Sequence, residues 1–404
     1  MLSFAYAIRK QRFVGLSLPN TRLGTFAVTS VAGERVQAFV PPALPPQPPV
    51  ELGRLVALLD QASTALGRLD GITAILPEPP LFIYMYVRKE ALLSSQIEGT
   101  QSSLSDLLLF ENEDIPHVGI DDVAEVSSYV RAMQHGLDRL RGGFPLSLRL
   151  IKEIHEILLS QGRGASKQPG EFRRSQNWIG GTRPGNALFV PPPPERLMEC
   201  LGELETFLHS QNTGLPLLVR AALVHVQFET IHPFLDGNGR LGRLLITFLL
   251  CAEGTLREPV LYLSLYFKTR RSTYYDLLQA VREKGDWETW IEFFLTGVVE
   301  TAQQATDTAR QLLKLFEDDR RKIAEIGRGA PSALRVHEQL QRKPLTSVAA
   351  AAKNLNLSEP TVQKSLDGMI ELGIVREVTG KQRRRIYAYS RYLEILNQGT
   401  DPLS

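Results

Sequence analysis

The chain has 404 residues with 46 Lys plus Arg, 44 Asp plus Glu and 43% hydrophobic residues. That composition fits about two or three folded domains and excludes a disordered chain. No apolar run approaches the roughly 18 residues of a membrane span, and the N-terminal MLSFAYAIRKQRF sets its basic residues after its apolar stretch, the reverse of a signal peptide. Cys200 and Cys251 are too few for a disulfide framework, so the expected setting is cytoplasmic.

Residues 25–40 alternate loosely around Gly33 and predict a short hairpin. Pro41–Pro49 reads as an extended, polyproline-like connector. From Val50 to Phe316 the helical period dominates. Leu52, Leu55, Leu58, Leu59 and Leu66 share a broad face, with Gly71 as a stop signal. A second helix runs from about Leu81 to Gly99, a natural left-handed cap. Further helices are predicted over Asp121–Arg141, Leu148–Gln161, Pro194–Gln211, Leu215–Ile231, Arg240–Glu253 and Ser272–Lys284. Gln176–Pro194 breaks the pattern with two short apolar runs parted by Gly, Pro and Asn, which predicts a hairpin closed off by four prolines.

After the Gly327–Pro331 break, residues 346–357 predict a short helix and Ser358 caps a second that ends at Gly373. A basic hairpin follows. Helix, turn, helix and a two-stranded wing is the winged helix-turn-helix order. Between Arg320 and Arg391 there are 15 basic against 6 acidic residues, a net +9 that leaves −7 on the rest of the chain. Such a unit suits either DNA or a protein contact.

The chemistry concentrates in His232-Pro-Phe-Leu-Asp-Gly-Asn-Gly-Arg-Leu-Gly-Arg243, which closes one amphipathic helix and opens another. Gly237, Asn238 and Gly239 allow the backbone to turn its N–H groups inward at a helix N-terminus, making an anion hole. Arg240 and Arg243, three apart, oppose the helix dipole there and so call for an anionic partner such as phosphate. Asp236 supplies a hard oxygen for Mg²⁺, and His232 a general base. His225, Glu229 and His232 share helical spacing, but without a further ligand set they do not make a zinc site. His155 and His209 stand singly on helices and read as packing or surface residues.

Upstream, Ser94 and Glu98 lie four apart on one helix face, so the hydroxyl can orient the carboxylate. A carboxylate in a last helical turn faces the negative end of the dipole and needs a cation.

The segment His232–Arg243 resembles the signature of the Fic family, which transfers AMP from ATP to protein hydroxyls. The resemblance implies a mainly α fold: a helical Fic core with a β-hairpin flap, plus a small C-terminal winged helix-turn-helix domain. The expected division is 1–115 for an N-terminal region with connector and inhibitory helix, 116–318 for the core and 319–404 for the winged unit. It further implies that His232 deprotonates a target Ser, Thr or Tyr, and that Asp236 holds Mg²⁺ on the α- and β-phosphates. Gly237, Asn238, Gly239 and Arg240 would bind phosphates, with Arg243 on the γ-phosphate. The related Doc proteins, which phosphorylate, carry lysine at the position of Gly239, so the glycine favours AMP.

Ser94, Glu98 and Gly99 resemble the family's inhibitory helix, in which Glu98 pairs with Arg243 and denies the γ-phosphate its clamp. Gln176–Val190 resembles the flap over ATP, placing Ile179, Gly180, Gly181 and Thr182 beside the nucleotide. Gly170–Arg173 fits the lead-in to the flap, with Arg173 either a structural ion pair or a ligand. Tyr274 falls where relatives line the adenine pocket, with Tyr274 and Tyr275 as plain core residues the alternative, and Arg282 stands where some carry a base-contacting asparagine. The expected partners are ATP and a target protein, with self-modification, a homodimer and DNA bound through Arg383–Arg385 left open. Two rival readings stand beside AMP transfer. The same site could remove AMP, with Glu98 orienting water, or the core could serve as a nucleotide sensor in a DNA-binding regulator.

Overall fold

A computed structural model describes residues 22–31, 33–74, 79–111, 121–210, 213–380 and 385–402. The alternation over 25–40 forms β1 (Thr25–Val31) and β2 (Glu34–Val40), antiparallel with Thr25 opposite Val40 and a turn at Gly33. The proline connector then runs extended across the body, where the Pro42 carbonyl accepts from Gln227 Nε2 at 2.8 Å. α1 (Val56–Ala74) passes straight through Gly71, where a stop was expected. A mid-helix glycine costs only about 1 kcal/mol, and the long packing of α1 along a later helix outweighs it.

α2 (Pro79–Ile97) ends beside Gly99 at φ +97, as expected. α3 (Leu104–Phe110), α4 (Asp121–Arg141), α5 (Leu148–Leu158) and α6 (Pro194–His209) follow, with Ser103 and Ser147 capping α3 and α5. α7 (Leu217–Ile231) and α8 (Asn238–Ala252) form the central antiparallel pair. Every residue of Leu218–Ile231 and of Arg240–Leu250 is buried, the pattern of helices enclosed on all sides. α9 (Ser264–Thr269), α10 (Arg271–Lys284) and α11 (Trp287–Ala324) complete the body, α11 lying along α1.

Close approach of helices sets one glycine. Gly136 of α4 faces α8, and a Cβ there would overlap the Phe248 ring and press Ile154 of α5 at 3.1 Å. Gly136→Val is therefore expected to lower stability by about 1–3 kcal/mol, read as a lower urea midpoint at unchanged slope. An unaltered midpoint would contradict this packing.

The C-terminal unit consists of α12 (Ala330–Arg342), β3 (Leu345–Ser347), α13 (Val348–Leu355), α14 (Glu359–Glu371), β4 (Val375–Glu377), β5 (Ile386–Tyr389) and α15 (Ser390–Asn397). Ser347 and Ser358 cap α13 and α14, and the antiparallel sheet has the order β3-β5-β4. β3 was not anticipated, because three residues carry no periodic signal. The boundary expected at 318 falls inside α11, and the one at 115 lies outside the described residues. One apolar cluster runs continuously from Val40 to Leu396. The unit also reaches back to α2: the carbonyls of Gln398 and Thr400 accept from buried Lys89 and Gln96 at 2.9 and 2.8 Å. No helix among the described residues is long and apolar enough to cross a membrane.

Candidate active site

The site grows from the reversal between α7 and α8. α7 closes on His232 in the left-handed region, φ 48 and ψ 61, with its N–H on the Phe228 carbonyl at 2.9 Å. A non-glycine residue pays roughly 1–2 kcal/mol for that conformation, so neighbours must hold it. Asn238 does so from inside the loop, accepting from Phe234 N and donating to Phe234 O, each at 2.9 Å. Its side chain is thereby committed to the turn, leaving its backbone to face an anion. Gly237, at φ 77, precedes α8 and frees that helix's first N–H groups.

His155 braces the loop from outside. Its Nδ1 accepts from Gly170 N at 2.9 Å, so Nε2 carries the proton and donates to the Asp236 carbonyl at 3.0 Å. The ring stacks on Phe234 with centroids 3.6 Å apart, and burial holds the imidazole down at about 4.

Both signature arginines are buried. Arg240 lies 3.3 Å from Glu125 of α4 and 3.7 Å from Asp236. Glu125 also accepts from Arg163 N and Nε at 2.9 Å. Burial pushes that carboxyl up, but Arg163 and Arg240 outweigh it and hold it below the usual range. Glu125→Ala would strip two cations of one buried counter-charge. A loss of about 3–5 kcal/mol is expected, measured by denaturant unfolding, and a change near zero would show that the carboxylate is dispensable.

Arg243 joins Ser94 to Glu98: the Ser94 hydroxyl accepts from the guanidinium, where the spacing had it orienting the carboxylate. The Arg243 Nε donates to Ser94 Oγ at 2.8 Å, and its Nη2 donates to Ser94 O at 2.9 Å and Glu98 Oε1 at 2.7 Å. A Cβ on Gly239 would overlap the Glu98 carboxylate. Glu98 thus fills the hole at the start of α8, where an anion would sit. Burial acts to raise its pKa, but Arg243, then Arg240 and His232, dominate and lower it. The sign follows: this pair contributes fully above the usual carboxylate pKa and is lost only as pH falls through the lower value of the folded protein.

His232 is half-buried, and its pKa is pushed down to about 3 by burial first and by Arg282 and Arg173 next. Its Nδ1 lies near the Glu229 carbonyl without a formed hydrogen bond. The imidazole is therefore neutral at neutral pH. Glu229 itself is raised to about 7 by burial, with its Oε1 unpartnered against Gly242.

Ile179 makes a single bridge to Phe189, around a tight turn at Pro184–Asn186, so the expected hairpin is reduced to one rung. Gly180 and Gly181 sit at φ 67 and 71, and Thr182 is exposed beside them. The β1–β2 hairpin buttresses this segment. Phe39 N donates to Val190 O at 2.8 Å, and Glu34 accepts from Arg183 and Gly185 N at 2.8 and 2.9 Å. The Arg282 guanidinium lies 4.0 Å over the Phe189 ring.

Two expectations need correction. Tyr274 is 1% exposed, stacks on Phe267 and meets His225 Nε2 through its hydroxyl at 2.8 Å. It is a core residue, and the exposed ring is Tyr275 at 41%. Arg173 has no ion pair among the described residues: its guanidinium donates to the carbonyls of Ser175, Pro192, Ile231 and His232.

Asp236 is the residue suited to a divalent cation. One carboxylate oxygen accepts from Gly237 N at 2.6 Å, while the side chain stays 40% exposed at the rim of the anion hole. No three His, Cys, Asp or Glu side chains converge among the described residues. A single carboxylate beside phosphates fits Mg²⁺, which takes most of its ligands from water and phosphate oxygens.

Comparison with known proteins agrees with this geometry. Residues 56–138 match the Fic/DOC family N-terminal model and residues 145–250 the Fic/DOC family model. "Protein adenylyltransferase Fic" of Drosophila grimshawi is 32% identical over 243 residues, 59% of this chain and 46% of that one. The protein of the same name in Aedes aegypti is 38% identical over 149 residues, 37% of this chain and 27% of that one. The chain thus spans less than half the length of these relatives. A crystal structure of a Fic family protein from Desulfovibrio desulfuricans G20 has the same fold, with a TM-score of 0.55 at 19% identity over 85% of this chain and 98% of that one. Both models fall on the segments that build the site, so residues 56–138 and 145–250 carry the Fic/DOC family N-terminal and Fic/DOC family domains.

Proposed function

We propose that this protein transfers AMP from ATP to a hydroxyl of a target protein, and that Glu98 holds it in check. The observation that carries the reading is the Glu98 carboxylate at the N-terminus of α8, bound by Arg243 and near the charge of Arg240. A site that holds one carboxylate there is built for anions, and two buried arginines suit a polyphosphate.

Once Glu98 vacates the hole, the first N–H groups of α8 and Arg240 would receive the inner phosphates, and Arg243 the terminal one. The neutral His232 takes the proton of an incoming Ser, Thr or Tyr hydroxyl. The hydroxyl oxygen then bonds to the α-phosphorus as the bond to pyrophosphate breaks. Bound at Asp236, Mg²⁺ would neutralise phosphate charge. Positioning and charge stabilisation supply most of the rate. The exposed Gly180–Thr182 turn lies where an extended target segment could add to the edge near Ile179.

The test is a labelling experiment with the Glu98→Gly protein. Label at the α-phosphorus of ATP should remain on protein, and label at the γ-phosphorus should not. Retention of γ-label alone would mean phosphate transfer and would refute the proposal.

A second reading, removal of AMP, draws on one observation: the Glu98 side chain is 35% exposed and electrostatically coupled to His232, so it could hold a water there. Release of AMP from a modified protein, abolished by Glu98→Gly, would favour it. DNA binding is not part of the proposal. α14 carries Glu359, Asp367 and Glu371 against Lys364, an acidic balance unsuited to phosphate backbones, and Arg383 and Arg384 lie outside the described residues.

A further inference from the structure

We infer that Arg173 is a positioning residue, holding the His232 turn in place and fixing the flap's two feet to it. The inference rests on the reading of His232 as the base. Arg173 is 2% exposed and meets no carboxylate among the described residues. Burying a guanidinium without a counter-ion is expensive, so its carbonyl partners must together replace water. Two of them, Ile231 and His232 at 3.4 and 2.9 Å, end α7, where the helix dipole is negative. The others, Ser175 and Pro192 at 3.3 and 2.5 Å, bracket the Gln176–Val190 segment on either side. The Arg173 N–H adds a bond to Pro233 O at 2.9 Å.

One planar group therefore joins three stretches of backbone, at Ser175, Pro192 and Ile231–His232. Its fork geometry is what a left-handed His232 requires, because the carbonyl of that residue points out of the helical ladder and needs a donor. Lysine, a single point donor, could keep the charge but not the four-way geometry. The ring of His232 is faced by Arg282 from α10, Glu98 from the turn after α2 and the Glu229 carbonyl from α7, besides Arg173. Removing one of the two cations makes the imidazolium easier to form, so His232 should then titrate at higher pH.

The experiment compares Arg173→Gln and Arg173→Lys in the Glu98→Gly background. It reads the His232 imidazole titration by NMR, ATP affinity by calorimetry, and kcat. The glutamine variant should lose about 100-fold in kcat, the scale for a misplaced catalytic group, keep its ATP affinity and titrate His232 at higher pH. The lysine variant should keep the parent titration and still lose kcat. A glutamine variant with parent titration and parent kcat would overturn the inference. So would parallel losses of kcat, ATP affinity and melting temperature with the titration unmoved, since those mark a general structural role. Should the glutamine variant not fold, the lysine variant decides: reduced kcat at parent titration supports the inference, and parent kcat overturns it. The titration does not depend on transfer, so a parent protein without AMP activity would refute the proposed function while the Arg173 question is still answered.

Discussion

Glu98→Gly should raise the rate of AMP transfer by roughly 10²–10³, the scale of restoring one preorganised charge stabiliser at a reacting centre. In the folded chain Arg243 already donates to three acceptors, two on Ser94 and one on Glu98. A terminal phosphate must displace the carboxylate and also overcome its charge. Glycine removes both obstacles and leaves the two Ser94 contacts, which keep the guanidinium aimed at the hole. Because Glu98 stays ionised below the usual carboxylate range, mild acid should not imitate the substitution. ATP affinity measured by calorimetry should rise in parallel, and equal affinity and rate in both proteins would remove the inhibitory role.

His232→Ala in the activated protein is expected to lower the rate by about 10²–10⁴, the usual contribution of a positioned general base. The change should fall on kcat and spare ATP binding, since the phosphate-facing groups belong to α8 and its preceding turn. Stability should change little or improve, because alanine removes a half-buried imidazole with an unpartnered Nδ1 but still strains at φ 48. Retained kcat would mean that the hydroxyl loses its proton to another group, for which Glu229, raised to about 7, is the nearest carboxylate of the same helix.

The sequence made the centre of the site legible because its parts are contiguous. His232 through Arg243 encode a helix end, a glycine turn and a helix start, and local backbone chemistry dictates that geometry. Ser94 and Glu98 were readable as neighbours by helical spacing, while their partner Arg243, 145 residues later, came from family resemblance. Contacts made across the fold were not legible. Glu125 sits on α4 with no local pattern to mark it, and the carbonyls around Arg173 have no side-chain signature at all. For Tyr274 the sequence left a core role and an adenine pocket open, although Tyr274, Leu278 and Val281 recur at helical spacing and are all buried, a pattern that points to the core. β3 and α15 were too short to announce themselves. The one-rung flap reflects Gly180 and Gly181, whose positive φ prevents a continuous ladder.

The most direct test is an intact-mass comparison of the parent, Glu98→Gly, and the Glu98→Gly/His232→Ala pair after incubation with ATP and Mg²⁺, alone and with candidate target protein. The account predicts an AMP-sized adduct with the single variant, little with the parent and none with the pair. An equal adduct in the parent and the single variant, or an adduct that persists without His232, would contradict it.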